Sequence, residues 1–380
     1  MKVLLAMDHF EDYLPLFEGK RVGLMTNPTG VNSALISTID ILKEKVNLVA
    51  LFAPEHGVRG DLQAGVHAES YLDEATNLHV YSLYGATRHP SKEMMDLFDV
   101  LVFDIADVGA RFYTYLYSMS YLMESCKEYG KQMIIIDHPN PVGADLVEGN
   151  LLQLDYRSFV GYYSIPQRYG LTIGELALLF NNEFEIHADI HILPMENYER
   201  KMSFRETGLP WVLPSPNIPT PETALVFLAT CLFEGTNLSE GRGTTKPFHF
   251  IGSPYLNNRD VVCYMNGLKL TGVLFRETYF TPTFSKHQNT LCHGLEVVVT
   301  NEASFQPVKT GYLLFDYIRK THKEFDYIPP FREGGHPFID LLTGNNLLRE
   351  NQIPVRELLM NMHMDTEVFS DLKRRYHLYE

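Results

Sequence analysis

Cysteine is scarce in this sequence and follows no recognisable pattern. The four cysteines of the 380 residues lie far apart, at Cys126, Cys231, Cys263 and Cys292. No Cys-x-x-Cys pair and no Cys/His spacing typical of a zinc site occurs. This argues against a disulfide framework and predicts free thiols, most of them buried.

Long apolar runs are also missing. No stretch approaches the ~20 residues that a helix needs to cross a membrane, so we expect no membrane span. The first residues, MKVLLAMDHFEDY, reach acidic residues too early for a signal peptide. We expect a cytoplasmic protein from the sequence as it stands, and a periplasmic or secreted one if a leader was removed.

Positive charge and nucleotide-binding motifs are the other absences. The 32 Lys and Arg residues against 47 Asp and Glu leave a net charge of −15. A surface this acidic argues against nucleic acid as a partner, although one arginine can still bind a small anion. Because neither G-x-G-x-x-G nor G-x-x-x-x-G-K-[ST] occurs, we expect no NAD, no ATP and no other cofactor.

Short apolar runs alternate with amphipathic ones through the first 140 residues. They predict strands and helices in turn, with strands at 21–27, 47–54, 100–107 and 132–138 and helices at 33–45, 93–99 and 112–130. Strands that are apolar almost throughout are typical of a parallel sheet covered on both faces. The pattern therefore predicts an α/β protein with a Rossmann-like N-terminal domain.

The regular alternation of strand and helix patterns ends at about residue 150, and helical and strand-like runs mix after it. A proline-dense stretch at 209–222 reads as an extended crossing between domains. We predict that residues 1–216 form the Rossmann-like domain with the catalytic motifs. A smaller α+β domain, residues 217–380, is expected to close a cleft against it.

Polar motifs follow the four predicted strands at their carboxyl ends. They read TNPTG, PEHG, DIADVGAR and DHPNP in chain order. In an open parallel sheet these ends share one edge, and ligands bind in the crevice there. Asn27 of the first motif and Asn140 of the last are substrate-binding candidates, although a rigid turn also accounts for Asn140.

The segment LFAPEHGVRG places three chemically active side chains directly after a buried strand. A carboxyl group in a partly dry bend has a raised pKa, which suits Glu55 to act as a general acid. His56 is expected to orient it, bind substrate or relay a proton, and capping the next turn is an equal alternative. Arg59 either contacts substrate or pairs with a surface acid.

The third strand leads into a second group of candidates. Asp104 lies inside an apolar strand, where an unpaired charge is costly, so it needs a partner or a function. Asp107 reads as a helix N-cap, and Arg111 as a clamp for a carboxylate. Tyr115 lies off the helical stripe of its neighbouring tyrosines and is a candidate for substrate contact.

The loop FEGTNLSEGRGTTKPF, residues 233–248, is polar and contains three glycines. A loop of this composition is either disordered or a ligand-binding surface, and the flanking phenylalanines favour binding. Its candidates are Glu234, Asn237, Glu240 and Arg242. A metal site built from His56, Asp104, Asp107, Asp137 and His138 is the chemical rival, but no metal-binding motif supports it, and we expect no metal.

Seven nearly contiguous motifs from about residue 20 onward resemble the NamZ family. They are LMTNPTGV, LFAPEHGVRGDLQAG, LVFDIADVGARFYTYLYSM, DHPNPVGADLVEG, IPQRYGLTIGELA, LPSPNIPTPETA and LFEGTNLSEGRGTTKPFHFIGSPYL. Characterised members are exo-β-N-acetylmuramidases of peptidoglycan turnover. The resemblance implies a cleft between two domains, with Glu55 as the leading catalytic residue.

Three positions depart from the family pattern. His138 stands where arginine is expected, Tyr169 where histidine is expected, and Asn150 where proline is common. These departures bear on substrate length or on the identity of the second sugar more than on the reaction type.

The substrate that the resemblance implies is a peptidoglycan-derived sugar, N-acetylmuramic acid at a non-reducing end. We expect an arginine to bind its lactyl carboxylate. Arg111 and Arg242 are the first candidates, and Arg59 is the next. The group that assists Glu55 stays open among Asp104, Glu234 and Glu240, the substrate's own acetamido oxygen, and a dyad with His56. A non-catalytic muropeptide-binding protein and a metal-dependent hydrolase of amino sugars are the alternative functions.

Overall fold

A computed structural model of the chain describes residues 2–54, 57–60, 70–83 and 88–380. Its largest feature is a sheet of seven strands: β1 (Arg21–Thr26), β2 (Asn47–Ala53), β3 (Tyr71–Asp73), β4 (Leu78–Ser82), β5 (Val100–Asp104), β6 (Gln132–Ile136) and β7 (Asp189–Leu193). They lie in the order β3-β4-β2-β1-β5-β6-β7, and every neighbouring pair is parallel except β3 with β4. The predicted α/β sheet is confirmed, whereas β7 and the β3–β4 hairpin were not predicted.

The strand order identifies where this sheet binds ligands. If β3 is left out and the other six strands are numbered in chain order, they lie across the sheet in the order 3-2-1-4-5-6. This is the strand order of a Rossmann sheet. The order in which strands join the sheet reverses at β1: β2 and β4 are added on one side of it, and β5, β6 and β7 on the other. β1 and β5 pair directly and are parallel. The crevice beyond their carboxyl ends is the expected binding site of such a fold.

Ten helices accompany the strands in the described part of the chain. They are α1 (Thr38–Lys45), α2 (Lys92–Met95), α3 (Tyr115–Tyr129), α4 (Ile173–Glu183), α5 (Pro221–Thr230), α6 (Asn258–Gly267), α7 (Pro307–Thr321), α8 (Phe338–Thr343), α9 (Leu347–Glu350) and α10 (Val355–Lys373). The first helix begins later than predicted, because Leu35 has a φ of 64° that a helix cannot include. A capping box between Thr172 and Glu175 starts α4.

A second, smaller sheet lies in the C-terminal part of the chain. Its strands are β8 (Phe250–Ser253), β9 (Val273–Phe280) and β10 (Cys292–Val299), all antiparallel in the order β8-β10-β9. Helix α7 crosses α5 at Gly311, where an added Cβ would lie 2.0 Å from the carbonyl oxygen of Ala229. The predicted smaller domain is confirmed, and the boundary between residues 216 and 217 stays a prediction that falls between the two sheets.

The two sheets share one apolar core. A single cluster of buried side chains contains Phe103 of the large sheet, Leu295 of β10 and Phe227 of α5. Burial of this much apolar surface is the main force that holds such an arrangement together. None of the helices in the described residues is long and apolar enough to cross a membrane.

Candidate active site

Asp104, the last residue of β5, is fully buried and has two side-chain partners. Nε2 of His138 lies 2.5 Å from its Oδ1, and the hydroxyl of Thr38 donates to its Oδ2. The sequence required a partner for this charge, and the fold supplies two from neighbouring elements at the same sheet edge. Since both carboxylate oxygens already have partners, Asp104 positions His138 and Thr38 in this structure.

Asp107 lies three residues further on and is only 6% exposed. Its Oδ2 accepts hydrogen bonds from the Tyr169 hydroxyl and from the Gly109 N–H at 2.8 Å. Its Oδ1 is buried and accepts no hydrogen bond from the described residues. Burial raises the pKa of this carboxyl to about 6, although the Tyr169 hydroxyl and the nearby backbone N–H groups lower it.

A cavity of about 40 Å³ opens beside Asp107 and His138, and we call it the sheet-edge cavity. Its remaining walls are mostly apolar and come from five parts of the chain: Leu5, Thr29, Val31, Asn32, Ala106, Pro139, Pro141, Phe204, Leu209, Pro210, Trp211, Val212 and Pro214. It occupies the crevice that the strand order predicts, beyond β1, β5 and β6.

A second cavity of about 170 Å³ lies between the domains, and we call it the interdomain cavity. Three predicted site residues, Tyr115, Glu234 and Arg242, line it together. The others are Phe112, Tyr113, Thr114, Phe159, Val160, Ser215, Asn217, Ile218, Phe227, Cys231, Phe248, Phe338 and Leu342.

Arg242 is the centre of a charge cluster in the polar loop. One of its terminal nitrogens lies 2.6 Å from Glu234, and its Nε lies 3.4 Å from Glu240. Glu240 also binds the ammonium group of Lys286 at 2.9 Å, and the guanidinium lies 5.1 Å above the Phe248 ring. Burial works against the charge, but the two carboxylates raise the pKa of Arg242, so it stays a cation.

The two cavities are separated by Pro214 and Ser215 of the proline-dense segment. The Pro214 carbonyl accepts hydrogen bonds from the Tyr115 hydroxyl at 2.9 Å and from the Asn27 amide at 3.3 Å. Asn27 therefore positions this segment, while Oδ1 of Asn27 accepts from Thr29. Sequence reasoning gave the segment only the role of a crossing, yet it lines both cavities.

Arg111 does not take the position of a substrate clamp. It is completely buried, and its two terminal nitrogens donate to four backbone carbonyls: Asn150 (2.7 Å), Ile165 (2.9 Å), Leu342 (3.2 Å) and Thr343 (2.8 Å). The last two carbonyls end α8, where a helix leaves carbonyls unpaired. The geometry thus corrects the expected role, because the guanidinium joins the domains and offers no face to a ligand.

Three other candidates also have structural partners. Arg59 forms a two-point ion pair with Asp73, both contacts at 3.0 Å. Asn140 closes the DHPNP turn, as its turn interpretation predicts, through the N–H of Val142 and the carbonyl of Leu171. Asn237 is held by Glu324, Tyr255 and Asp326.

Glu55 and His56 lie outside the described residues. The residues on either side of them, Pro54 and Gly57, follow β2, the neighbour of β1 in the sheet. No three metal-binding side chains among the described residues are grouped so that they could hold an ion.

Sequence reasoning understated Asp107 and His138 and did not consider Trp211 or Ser215. Asp107 was interpreted as a cap and His138 as a departure from a family motif. The available signal was their position directly after two neighbouring parallel strands. Trp211 and Ser215 gave no comparable signal, because their proximity to the sheet edge comes from a long-range crossing.

The fold and its two cavities define a two-domain α/β protein with one cavity at the switch point of a Rossmann sheet and another between the domains. Residues 22–222 match the family model of the exo-beta-N-acetylmuramidase NamZ N-terminal domain, and residues 225–379 match the corresponding C-terminal model. The chain therefore belongs to the NamZ family, as the motifs predicted.

Relatives of known sequence or structure agree with this assignment. The chain is 49% identical over 374 residues to the peptidoglycan beta-N-acetylmuramidase NamZ of Bacillus subtilis (strain 168), covering 97% of this chain and 89% of that protein. Two DUF1343 family proteins of Bacteroides fragilis NCTC 9343 have the same fold. The first has a TM-score of 0.89 at 35% identity and the second 0.80 at 32%, each over 100% of this chain and 99% of the other.

Proposed function

We propose that this protein is an exo-β-N-acetylmuramidase, a glycosidase that releases N-acetylmuramic acid from the non-reducing end of peptidoglycan fragments. The observation that carries the proposal is the interdomain cavity, where Tyr115, Glu234 and Arg242 meet between the two domains of a fold shared with this family. Its substrate is a peptidoglycan-derived sugar, and it needs no nucleic acid and no cofactor.

Glycosidic cleavage requires an acid for the leaving oxygen and a group that stabilises the positive charge on the sugar. The acid is assigned to Glu55, with His56 beside it, on sequence grounds. Among the three carboxylates considered as its partner, Asp104 and Glu240 are almost fully buried and each has two partners. Glu234 is the most accessible, with a fifth of its side chain exposed in the interdomain cavity.

Recognition of the lactyl carboxylate is assigned to Arg242. Of the three arginines considered, Arg111 is committed to carbonyls and Arg59 to Asp73, whereas Arg242 lines the cavity. Glu234 already neutralises part of its charge, so the substrate carboxylate has to share or displace that contact. This exchange would free Glu234 at the moment that substrate binds.

Release of 4-nitrophenol from the β-N-acetylmuramic acid glycoside tests the reaction, with the β-N-acetylglucosamine glycoside as the control substrate. We expect turnover of the first substrate only, its loss in Glu55→Gln, and no effect of a chelator. Binding without turnover in the wild type would indicate a carbohydrate-binding protein. Inactivation by the chelator would indicate a metal-dependent hydrolase.

The arginine assignment has its own test. We expect Arg242→Met to raise KM for the muramic acid glycoside by roughly 10- to 100-fold, the loss of a charged hydrogen bond. Arg276→Met is the matched control, because Arg276 also pairs with a glutamate of the second domain, Glu296 at 2.5 Å. An unchanged KM in a folded Arg242→Met protein would refute the assignment. The cytoplasmic location stays a prediction, which cell fractionation tests.

A further inference from the structure

A cluster of phenylalanines that the function proposed above does not use lies at the edge of the interdomain cavity. It consists of Phe159, in the part of the chain that matches the N-terminal family model, and of Phe331 and Phe338, in the part that matches the C-terminal model. Phe159 and Phe338 stack with their planes 10° apart, and Phe331 packs edge to face on Phe338 with ring centroids 5.1 Å apart. Because Phe159 and Phe338 also line the cavity, this cluster, which we call the aromatic rim, continues outward from it.

Two of the three rings of the aromatic rim are exposed. Phe331 is 67% exposed and Phe159 is 37% exposed, whereas Phe338, which contacts both, is buried. Phenylalanine is among the residues most often buried in soluble proteins. Single exposed apolar side chains are common, but these two rings also contact each other, with centroids 6.5 Å apart. A contiguous apolar surface at the mouth of a cavity is typical of a ligand-binding groove.

The backbone fixes the positions from which these rings project. Phe159 lies in a turn that is closed by two backbone hydrogen bonds between Ser158 and Gly161, at 2.7 and 3.2 Å. An added Cβ at Gly161 would lie 2.5 Å from the Leu152 side chain, so this turn is closely packed. Two prolines directly precede Phe331 and restrict the backbone there. A surface held in place in this way loses little conformational freedom when a ligand packs on it.

A polar group accompanies the aromatic rim. The guanidinium carbon of Arg88 lies 5.9 Å from the centroid of the Phe159 ring, and this arginine is exposed. A guanidinium group carries five N–H donors. A ligand that packs an apolar face on the rim can therefore accept hydrogen bonds from Arg88 at its edge.

These features specify the chemistry of the ligand. The rings require a flat apolar surface, and the guanidinium requires oxygen acceptors beside that surface. A β-linked pyranose of the gluco configuration meets both requirements, because its C–H groups point from its two faces and its hydroxyl groups lie around its edge.

The size of the interdomain cavity indicates which sugar reaches the rim. Its volume of about 170 Å³ is below the roughly 300–1,000 Å³ of sites that enclose drug-sized ligands. Two linked sugars therefore do not fit inside it. When the terminal sugar of a glycan enters the cavity, the sugar bonded to it lies at the mouth, where the rim begins. A polypeptide partner would also cover the rings, but nothing would place it in line with the cavity.

We propose that the aromatic rim binds the sugar on the leaving side of the scissile bond, with one face of that sugar packed on Phe331 and Phe159. The inference rests on the proposed function, because N-acetylmuramic acid has to occupy the interdomain cavity for its neighbour to reach the rim. The rim is then a specificity-determining site. It favours N-acetylmuramic acid linked to a further amino sugar over the same sugar with a small leaving group.

The test compares two substrates that share N-acetylmuramic acid and differ in the group that leaves. The first is the disaccharide in which it is β-linked to N-acetylglucosamine, and the second is its methyl β-glycoside, whose leaving group is too small to reach the rim. We expect Phe331→Ala to lower the ratio of kcat/KM for the disaccharide to kcat/KM for the methyl glycoside by about five- to tenfold. The intrinsic reactivity of the two leaving groups cancels, because this ratio is compared between the variant and the wild type.

Two further variants serve as controls. Phe331→Tyr keeps the ring and should keep the wild-type ratio. Tyr279→Ala removes an aromatic side chain of β9 that is 57% exposed and lines neither of the two cavities, and it should leave the ratio unchanged. An unchanged ratio in Phe331→Ala would overturn the proposal. Equal losses of kcat/KM on both substrates would overturn it as well, because the ring would then act on more than the leaving sugar.

Binding measured without turnover separates this inference from the proposed function. In a Glu55→Gln background, calorimetry with the disaccharide should show about five- to tenfold weaker binding when Phe331→Ala is added. Such weaker binding, in a protein whose wild type hydrolyses neither substrate, would support the rim as a sugar-binding site and overturn the proposed function alone. Hydrolysis by the wild type, with unchanged ratio and unchanged binding in the Phe331→Ala variants, would overturn this inference alone.

Discussion

Arg111 offers the sharpest test of how the two domains are held together. Its guanidinium donates to four carbonyls, two of which end α8, more than 230 residues further along the chain. Arg111→Met fills a similar volume but donates nothing. The Thr343 carbonyl keeps a second donor, the Asn150 amide at 2.9 Å, so we count only the other three carbonyls.

An unsatisfied buried acceptor costs about 1–3 kcal/mol, so three of them cost roughly 3–9 kcal/mol. Typical proteins unfold at a cost of about 5–15 kcal/mol, so this loss removes much or all of the stability. We therefore expect Arg111→Met to give little folded protein, or a large drop in its denaturation midpoint. Arg111→Lys should retain part of the stability, because an ammonium group can still donate to some of the carbonyls.

The measurement is chemical denaturation followed by circular dichroism, with Arg276→Met as the control for loss of an ion pair whose arginine is largely exposed. The control should change stability by less than about 1 kcal/mol. If Arg111 were instead a substrate clamp, Arg111→Met would fold normally and raise KM for the muramic acid glycoside. A denaturation midpoint close to that of the wild type would refute the structural role.

Three further predictions concern the sheet edge. Gly109→Ala should lower stability by about 2–4 kcal/mol, because φ is +75° and the new Cβ would lie 2.3 Å from Asn140. Gly130→Ala, at a similar φ of +63° but with open space around it, should lose only about 1 kcal/mol, and equal losses in both melting curves would contradict this reasoning. Thr172→Ala removes the cap of α4 and should cost about 1–2 kcal/mol in denaturation, whereas no loss would mean that the cap is redundant. Burial raises the pKa of Asp107 from 3.8 to about 6, so the native state binds more protons than the unfolded chain between these pH values and stability falls as pH rises through them. Asp107→Asn removes this pH dependence. The free energy of unfolding of the variant, relative to that of the wild type, should therefore rise by up to about 3 kcal/mol between pH 4 and pH 7.5. If the difference between the two free energies of unfolding did not change with pH, Asp107 would not titrate in this range.

Some aspects of the site were predictable because they depend on neighbours in the chain. Four apolar runs, each followed by a polar motif, predicted both the parallel sheet and the edge at which Asp104, Asp107 and His138 gather. The Thr172 cap could be read from its spacing to Glu175, since both partners lie within one helical turn. These inferences hold because strand and helix periodicity are local properties.

Other aspects were decided only by the tertiary structure. An arginine that follows a strand can donate hydrogen bonds equally well to a carboxylate or to several carbonyls. Arg111 donates to carbonyls because α8 ends beside it. The environment of Arg242 also depends on the tertiary structure, because it lines the interdomain cavity together with Tyr115 from the other domain. The choice depends on groups far apart in the chain, whose proximity arises only when the shared core forms.

The sequence by itself thus determined the α/β class and the family, and it predicted the sheet edge at which the polar motifs gather. It could not separate the buried Arg111 from the more accessible Arg242, nor show that one oxygen of Asp107 finds no partner among the described residues. Local sequence specifies which hydrogen-bonding groups a segment carries. Only the packing of distant segments decides which of those groups are satisfied within the protein and which remain for a ligand.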